Sequence, residues 1–379
     1  MKKKTFVRGT ALLFALFLVL GGVMLPASAA PSVSAKSAVL IEAESGRVLY
    51  QQNAFARLPM ASTTKIMTAI VAIESGDTRR TVTVSPAAVG IEGSSVYLYP
   101  GEQLTMEELL YALLLESAND AATAIAIAVA GSVEEFANRM NEKAEVLGLT
   151  ATHFTNPHGL DDEAHYTTAY DLAVLSAYAL KNETFRTICA TTRKTIPLKG
   201  DEGTRALVNH NKMLTRYEGA IGVKTGFTKR SGRCLVSAAE REGLTLIAVT
   251  LGAPDDWRDH AAMLDFGFEN YQCRLLAEKG GLVLPLSVVG AATQSVLVAN
   301  TEESRAILKR DHGAITCRIE APQILYAPIA SGDTVGRVVW LCDGEEIGTS
   351  PLVTINNTEY KKAERKGIWA WLTSLFDRE

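Results

Sequence analysis

Apolar side chains recur at helical spacing after residue 65, in a segment that begins with a serine and a lysine. The apolar positions are Ile66, Ala69, Ile70 and Ile73. Intervals of three and four residues place these side chains on one face of a helix. Since Ser75-Gly76 follows the last of them, the pattern predicts a helix that begins near Ser62 and ends near residue 74.

The same spacing predicts further helices, and short apolar runs between them predict strands. The helices cover residues 106–114, 121–130, 134–147, 168–180 and 258–268. The strands cover residues 39–41 and 47–50, which form a hairpin, and residues 82–84, 96–98, 220–227, 234–239 and 245–251. The short connection between the last two strands indicates that they pair in antiparallel fashion.

Beyond residue 281 the pattern changes to short strands without a helical run between them. These strands cover residues 283–288, 296–299, 314–319, 335–342 and 352–355. Such a series predicts a small β-sandwich. We therefore expect one domain over residues 31–277 and a β-sandwich domain over residues 278–357.

The segments at the two ends of the chain predict where the protein is located. Residues 1–29 combine early lysines, an apolar stretch and Ala27-Ser28-Ala29, which predicts a secretory signal peptide. Residues 361–379 predict an amphipathic helix with basic residues before an aromatic and apolar face. The helix is too short to span a bilayer, so it is expected to lie at the membrane surface. Docking on its own domain is the alternative. We expect an exported protein held at the outer face of the cytoplasmic membrane.

Composition limits the classes of function. The chain has 379 residues, 47% of them hydrophobic and 21% charged, which is typical of a soluble globular protein. Its formal net charge is −4, and it becomes about −8 when the four cations of the signal peptide are removed. This balance argues against a nucleic-acid partner. Five cysteines leave at least one unpaired. A bridge between Cys317 and Cys342 is one option, and buried free thiols are the simpler one.

Three short motifs carry candidate chemistry. Ser62 and Lys65 lie one helical turn apart, so the amine can reach the hydroxyl and act as its base. The alternative is a capping serine with a surface lysine. A second motif, Ser117-Ala118-Asn119, lies between two buried helices, where Asn119 or Asp120 could simply cap a helix end. The third is Lys224-Thr225-Gly226, whose lysine could be an edge-strand lysine.

Taken in order, these motifs resemble those of the penicillin-recognising serine hydrolases. With the flanking residues and the segment His158-Gly159-Leu160-Asp161, the chain more closely resembles the serine-type D-alanyl-D-alanine carboxypeptidases of the low-molecular-mass penicillin-binding proteins. The resemblance implies an α+β fold, in which an antiparallel sheet flanked by helices carries a helical subdomain. A small all-β sandwich domain and the C-terminal amphipathic helix follow.

The resemblance also implies a role for each candidate residue. Ser62 would be the acylated nucleophile, Lys65 its base and Ser117 a proton relay, while Asn119 would bind the peptide amide of the substrate. The terminal carboxylate would be held by Lys224, Thr225 and the helical Arg258, with Gly226 in the same strand. The oxyanion hole would use the backbone amides of Ser62 and Phe227. The expected partners are peptidoglycan stem peptides and β-lactam antibiotics. No cofactor is expected.

Several other functions share parts of this pattern. A β-lactamase would need a deacylating base, for which Glu163 is the nearby candidate in unmatched surroundings. A DD-endopeptidase would use the same chemistry on cross-links, and a catalytically silent sensor of β-lactams or muropeptides would keep the binding site. The histidines at 153, 158 and 165 lack the spacing of a zinc site, so no metal is expected.

Overall fold

The structure is a computed structural model that describes residues 30–198 and 203–361. The predicted signal peptide lies outside these residues, as does the predicted C-terminal helix after residue 361. The chain divides into two compact units. The first comprises residues up to 240 together with 245–270, and the second comprises residues 241–244 and those from 271 onward. No helix among the described residues is long and apolar enough to cross a membrane.

The first unit contains a five-stranded sheet. Its strands follow the spatial order β2-β1-β9-β8-β7. The predicted hairpin is confirmed, because β1 and β2 pair in antiparallel fashion, as do β1 with β9 and β7 with β8. Two small antiparallel sheets of two strands each, β3 with β4 and β5 with β6, lie outside this sheet. The strands are β1 Ser37–Glu42, β2 Val48–Gln52, β3 Thr81–Thr83, β4 Gln103–Thr105, β5 Arg193–Pro197, β6 Thr204–Val208, β7 Ala220–Thr228, β8 Gly232–Arg241 and β9 Leu244–Leu251.

The helices of this unit include all those that the apolar spacing predicts. They are α1 Lys65–Glu74, α2 Met106–Leu115, α3 Asn119–Ala130, α4 Val133–Val146, α5 Ala169–Leu180, α6 Glu183–Ala190, α7 Met213–Arg216 and α8 Asp256–Asn270. Helix α2 begins with a capping box formed by Thr105 and Glu108, and the Thr168 side chain caps α5. The sequence did not predict α6, an eight-residue helix with only three buried side chains, Phe185, Ile188 and Cys189.

The sheet has helices on both faces, which follows from the alternation of side chains along its strands. In β1, Val39 and Ile41 belong to the same hydrophobic core as Ile66 of α1. Leu40 points to the other face, where a Cβ atom added at Gly267 of α8 would lie 3.1 Å from its side chain. Helix α1 and the helices around it therefore cover one face, and α8 covers the other.

The predicted strand at residues 96–98 is wrong. The backbone amides of Val96 and Leu98 donate to the buried carboxylate of Asp120, at 3.3 and 3.1 Å, and the Val96 carbonyl accepts from the Arg205 side chain. These side chains take the hydrogen bonds that a neighbouring strand would otherwise supply. Strand β3 pairs with β4.

The second unit is all-β, as predicted. A six-stranded sheet with the order β14-β16-β17-β12-β11-β15 accompanies the pair β10 and β13, and neither member of that pair was predicted. The strands are β10 Tyr271–Ala277, β11 Val283–Val289, β12 Ser295–Asn300, β13 Ser304–Lys309, β14 Ile315–Glu320, β15 Ile324–Tyr326, β16 Thr334–Cys342 and β17 Glu345–Thr354. Its own core includes Val296, Val298, Val338 and Leu352. All five cysteines are free thiols, so Cys317 and Cys342 are not bridged.

Candidate active site

Ser62 lies in a short turn that precedes α1. The 3-10 turn covers Ala61–Thr64, and no side chain caps it or α1. The Thr63 and Thr64 hydroxyls donate to the carbonyls of Met60 and Ala61 at 2.7 and 2.9 Å, which fixes the turn from within. Ala61 has a φ of +48°, a conformation that alanine rarely adopts. The interpretation of Ser62 as a helix-capping serine is therefore wrong. The residue before Ser62 has a strained backbone conformation.

Lys65 is fully buried, so the surface-lysine interpretation is also wrong. Its Nζ lies 2.8 Å from Ser62 Oγ, 2.7 Å from Asn119 Oδ1 and 2.6 Å from the carbonyl oxygen of His158. The amine thus joins the first two sequence motifs. It also contacts a backbone carbonyl to which the sequence assigned no role.

Burial holds the pKa of Lys65 well below its ordinary value, and the nearby positive charge of Lys224 lowers it further. Lys224 is buried as well, and burial lowers its pKa to about 7, although the carboxylate of Glu116 acts in the opposite direction. The neutral form of the Lys65 amine is therefore favoured relative to that of an exposed lysine. Lys224 does lie in the edge strand β7, but its side chain is buried rather than exposed to solvent as an edge-strand lysine that prevents aggregation would be.

Asn119 begins α3, and its side chain does not cap the helix. Its amide group donates to the carbonyl of Glu92 at 2.5 Å, while its oxygen accepts from Lys65. Ser117 has a φ of +59° and a side chain that is nearly buried. Within the described part of the chain its hydroxyl has no hydrogen-bond partner, and the proton relay assigned to it stays a prediction.

The third motif, Lys224-Thr225-Gly226, runs beside the 3-10 turn Ala61–Thr64, the nucleophile turn. A Cβ atom added at Gly226 would lie 3.0 Å from the backbone nitrogen of Ser62, so any other residue here would require β7 or the turn to shift by a few tenths of an ångström. Lys224 Nζ donates to the carbonyl of Thr225 at 3.0 Å. The Phe227 side chain is exposed. This agrees with a role for its backbone amide alone, which stays a prediction.

The loop after α4, which includes residues 157–161, packs against the nucleophile turn. The sequence assigned no role to this loop. A Cβ atom at Gly159 would lie 2.0 Å from the Ala61 carbonyl oxygen. Thr68 of α1 donates to the carbonyl of Pro157 at 2.6 Å, and the Thr228 hydroxyl donates to Asp161 at 2.9 Å. The loop therefore connects α1 to the end of β7. Its turn-forming residues were visible in the sequence, but its packing against Ala61 was not.

Buried His165 and half-buried His158 in this region have structural partners. The His165 ring is 2.7 Å from the Thr64 hydroxyl and accepts from the Thr155 amide at 3.0 Å. The His158 ring accepts from the Leu160 amide. Burial lowers the pKa of His158 to about 3 and that of His165 to about 4, so both rings are neutral at pH 7.

Two other candidates are exposed. Arg258 of α8 is 78% exposed and lies 3.6 Å from the Asp255 carboxylate. Among the described residues no hydrogen bond or ion pair joins it to Lys224 or Thr225, and its role in binding the carboxylate stays a prediction. Glu163 is solvent-exposed.

The chain matches two families over most of its length. Residues 25–255 match the family described as D-alanyl-D-alanine carboxypeptidase, and residues 271–360 match penicillin-binding protein 5, C-terminal domain. Over 339 residues the chain is 35% identical to the D-alanyl-D-alanine carboxypeptidase DacF of Bacillus subtilis, covering 87% of this chain and 86% of that protein. Over 246 residues it is 36% identical to DacB2 of Mycobacterium tuberculosis, covering 63% of this chain and 84% of that protein.

A solved structure shows the same fold. Penicillin-binding protein 5 from Haemophilus influenzae superposes with a TM-score of 0.73 at 27% identity, covering 87% of this chain and 99% of that one. The predicted fold class is thereby confirmed for both units. The sequence match, the fold and the Ser62, Lys65 and Asn119 cluster agree: the chain belongs to the D-alanyl-D-alanine carboxypeptidase family of serine peptidases.

Proposed function

We propose that this protein is a serine carboxypeptidase that removes the terminal D-alanine from peptidoglycan stem peptides ending in D-Ala-D-Ala, and that Ser62 carries the acyl group. One observation supports the assignment of the nucleophile above the others. A fully buried amine lies 2.8 Å from the Ser62 hydroxyl, with a second buried lysine near it. Serine needs such a base, and the base must be neutral to accept a proton.

The contacts of Lys65 suit proton abstraction. A neutral amine has two hydrogens and one lone pair. When the hydrogens are donated to Asn119 Oδ1 and the His158 carbonyl, the lone pair faces Ser62 Oγ. The hydroxyl then gives its proton to Lys65 as its oxygen attacks the carbonyl carbon of the penultimate D-alanine.

The tetrahedral intermediate carries its negative charge on the former carbonyl oxygen. The amides of Ser62 and Phe227 are proposed to donate to that oxygen, because β7 lies against the nucleophile turn at Gly226. Collapse of the intermediate breaks the peptide bond, and the nitrogen of the leaving D-alanine takes a proton, for which Ser117 is the proposed relay. Water then attacks the ester and regenerates Ser62. β-Lactams are proposed to acylate Ser62 in the same way.

The substrate is an anion, which the site is suited to attract although the protein as a whole is acidic. Lys224 and the Thr225 hydroxyl are proposed to bind its terminal carboxylate, and Asn119 its peptide amide. Lys224 in its charged form supplies local positive potential beside the nucleophile, whereas the formal charge of the whole chain is −4.

Mass spectrometry after incubation with benzylpenicillin tests the nucleophile. The expected result is one added mass on the peptide containing Ser62, with loss of both labelling and D-alanine release in Ser62→Ala. The exposed Ser331 of the second unit offers a control, and Ser331→Ala should behave as wild type. D-alanine release from Ser62→Ala at the wild-type rate would contradict the proposal.

The same assays separate the alternatives. Rapid release of hydrolysed penicillin would indicate a β-lactamase, and labelling without D-alanine release would indicate a sensor. Cleavage of cross-linked dimers at a rate comparable with that of D-alanine release would indicate an endopeptidase.

The location and the division of the chain are also proposals. The sequence of residues 1–29 supports export, and that of residues 361–379 supports attachment to the membrane surface. Deleting residues 361–379 should abolish co-sedimentation with anionic vesicles, and unchanged co-sedimentation would contradict the anchor. The division into two units supports domains near the proposed bounds of 31–277 and 278–357.

A further inference from the structure

The second unit presents a group of exposed apolar side chains on three neighbouring strands, β15, β11 and β12. Each of these side chains is between 44% and 74% exposed. The register places them on one face of the sheet, because residues that lie directly opposite each other, and residues two apart in one strand, point the same way. Together they form the apolar surface, which consists of Val283, Val289, Leu297, Ile324 and Tyr326.

The apolar surface is not part of the core of the second unit. The alternate residues of β11 serve that core: Val288 belongs to it, and Leu284 and Leu286 pack against it. A strand with one face on a core normally carries polar side chains on its other face, where water reaches them. Here the outer positions are apolar as well, so they contribute little to the stability of the unit by itself.

The chain around the apolar surface is also free of charge. Residues 280–301, 321–332 and 347–358, which include β11, β12, β15 and most of β17, contain no Asp, Glu, Lys or Arg. At the opposite edge of the same sheet, Arg318 and Arg337 form ion pairs with Glu320. A charge-free surface can approach an apolar medium without the cost of desolvating an ion.

The last described residues lie beside the apolar surface. Tyr360 pairs with Ala291, and the Lys361 amide donates to the Gly290 carbonyl at 2.8 Å. Gly290 directly follows Val289 in the chain. Residues 361–379, which are proposed to attach to a membrane, therefore leave the second unit next to its charge-free, apolar side.

We propose that the apolar surface is a second membrane contact, which binds the same bilayer as residues 361–379. The exposed phenol rings of Tyr326 and Tyr360 suit the headgroup region. Residues 361–366 carry four basic side chains and one acidic one, which favours a bilayer with anionic lipids. Because the two contacts belong to one chain, binding of the first raises the effective concentration of the second. The inference rests on the proposed membrane attachment and not on the carboxypeptidase activity.

Sedimentation of the mature chain with vesicles of equimolar phosphatidylcholine and phosphatidylglycerol tests this contact. Val289→Asn and Tyr326→Asn each remove an apolar side chain without adding a charge. We expect each to lower the vesicle partition coefficient by about 10-fold, the loss of transferring one large apolar side chain. Val146, which is 78% exposed at the end of α4 in the first unit, offers the matched control, and Val146→Asn should bind vesicles as wild type does. All three variants should release D-alanine at the wild-type rate.

The outcomes separate the apolar surface from the tail. Wild-type partitioning of both Val289→Asn and Tyr326→Asn would overturn the proposal, and if deletion of residues 361–379 still abolished binding, the attachment by the tail would stand alone. Stronger vesicle binding by Val289→Asn would show that the apolar surface holds residues 361–379 and would also overturn it. So would a wild-type dimer, seen by analytical ultracentrifugation without lipid, that Val289→Asn dissociates, because a second copy would then cover the surface.

Discussion

At the scale of single residues, the site depends on two lysines that the fold keeps from water. Burial lowers the pKa of both, and their mutual repulsion lowers that of Lys65 further. Lys65 works as a base when neutral, whereas Lys224 attracts a carboxylate when charged. The two groups therefore need opposite protonation states at the same pH.

This requirement predicts the pH dependence of kcat/KM, which reports the free enzyme. The pKa of Lys224 is about 7, so its charge is lost as the pH rises above 7. We expect kcat/KM for a peptide ending in D-Ala-D-Ala to fall on this alkaline side. A peptide with an amidated end has no carboxylate to attract, so its kcat/KM should lack that fall. Parallel falling limbs for the two peptides would contradict the role of Lys224.

The same pKa predicts a cost in stability. An unfolded lysine titrates near 10.5 and the folded Lys224 near 7, so the unfolded state binds more protons between these values and stability rises with pH there. Lys224→Met avoids this cost. At pH 7 its free energy of unfolding should exceed that of wild type by on the order of a few kcal/mol, and the difference should shrink toward pH 10.

Denaturant unfolding at several pH values measures this difference. Lys229 is exposed in the same β7–β8 hairpin and is the matched control. The difference in unfolding free energy between Lys229→Met and wild type should not change with pH. A Lys224→Met variant less stable than wild type at pH 7 would show that burial of this amine is not costly.

At the scale of elements, the site is assembled by close backbone approaches rather than by one helix. The 3-10 turn lies between Gly226 of β7 and Gly159 of the loop after α4, and each glycine faces backbone atoms of the turn. The position of the Ser62 hydroxyl is therefore set by segments far apart in the chain.

Gly159→Ala tests this arrangement. The new Cβ would meet the Ala61 carbonyl oxygen, and the φ of +87° adds strain. We expect loss of acylation by benzylpenicillin and a drop in unfolding free energy of about 2 kcal/mol or more. Gly131 also has positive φ, +84°, but open space around it, so Gly131→Ala should lose only about 1 kcal/mol and keep acylation. Equal effects of the two substitutions would contradict the close-packing argument.

The elements also show how far the sequence could lead. Apolar spacing predicted the major helices, and motif spacing brought Ser62 and Lys65 within reach of each other, because both depend on neighbours in the chain. The loop at residues 96–98 was misread because its amides bind Asp120, more than 20 residues away. The carbonyl of His158 as a partner of Lys65 was equally hidden, since any residue has a carbonyl and only tertiary packing selects this one.

At the scale of the whole molecule, each unit has its own hydrophobic core. We therefore expect scanning calorimetry of the full chain to show two unfolding transitions. Acylation with benzylpenicillin should shift only the transition of the first unit, which contains Ser62, Lys65 and Lys224. A single transition that moves as a whole on acylation would show that the two units unfold together.

Gly226 lies against the nucleophile turn, and this contact limits which positions can change under selection by β-lactams. A side chain at this position would require β7 or the turn that carries Ser62 to shift, so we expect a substitution here that excludes a drug to lower turnover as well. Phe227 is the next residue, and its exposed ring leaves room for change. Drug-tolerant forms that remain active should therefore arise by substitution at Phe227 rather than at Gly226.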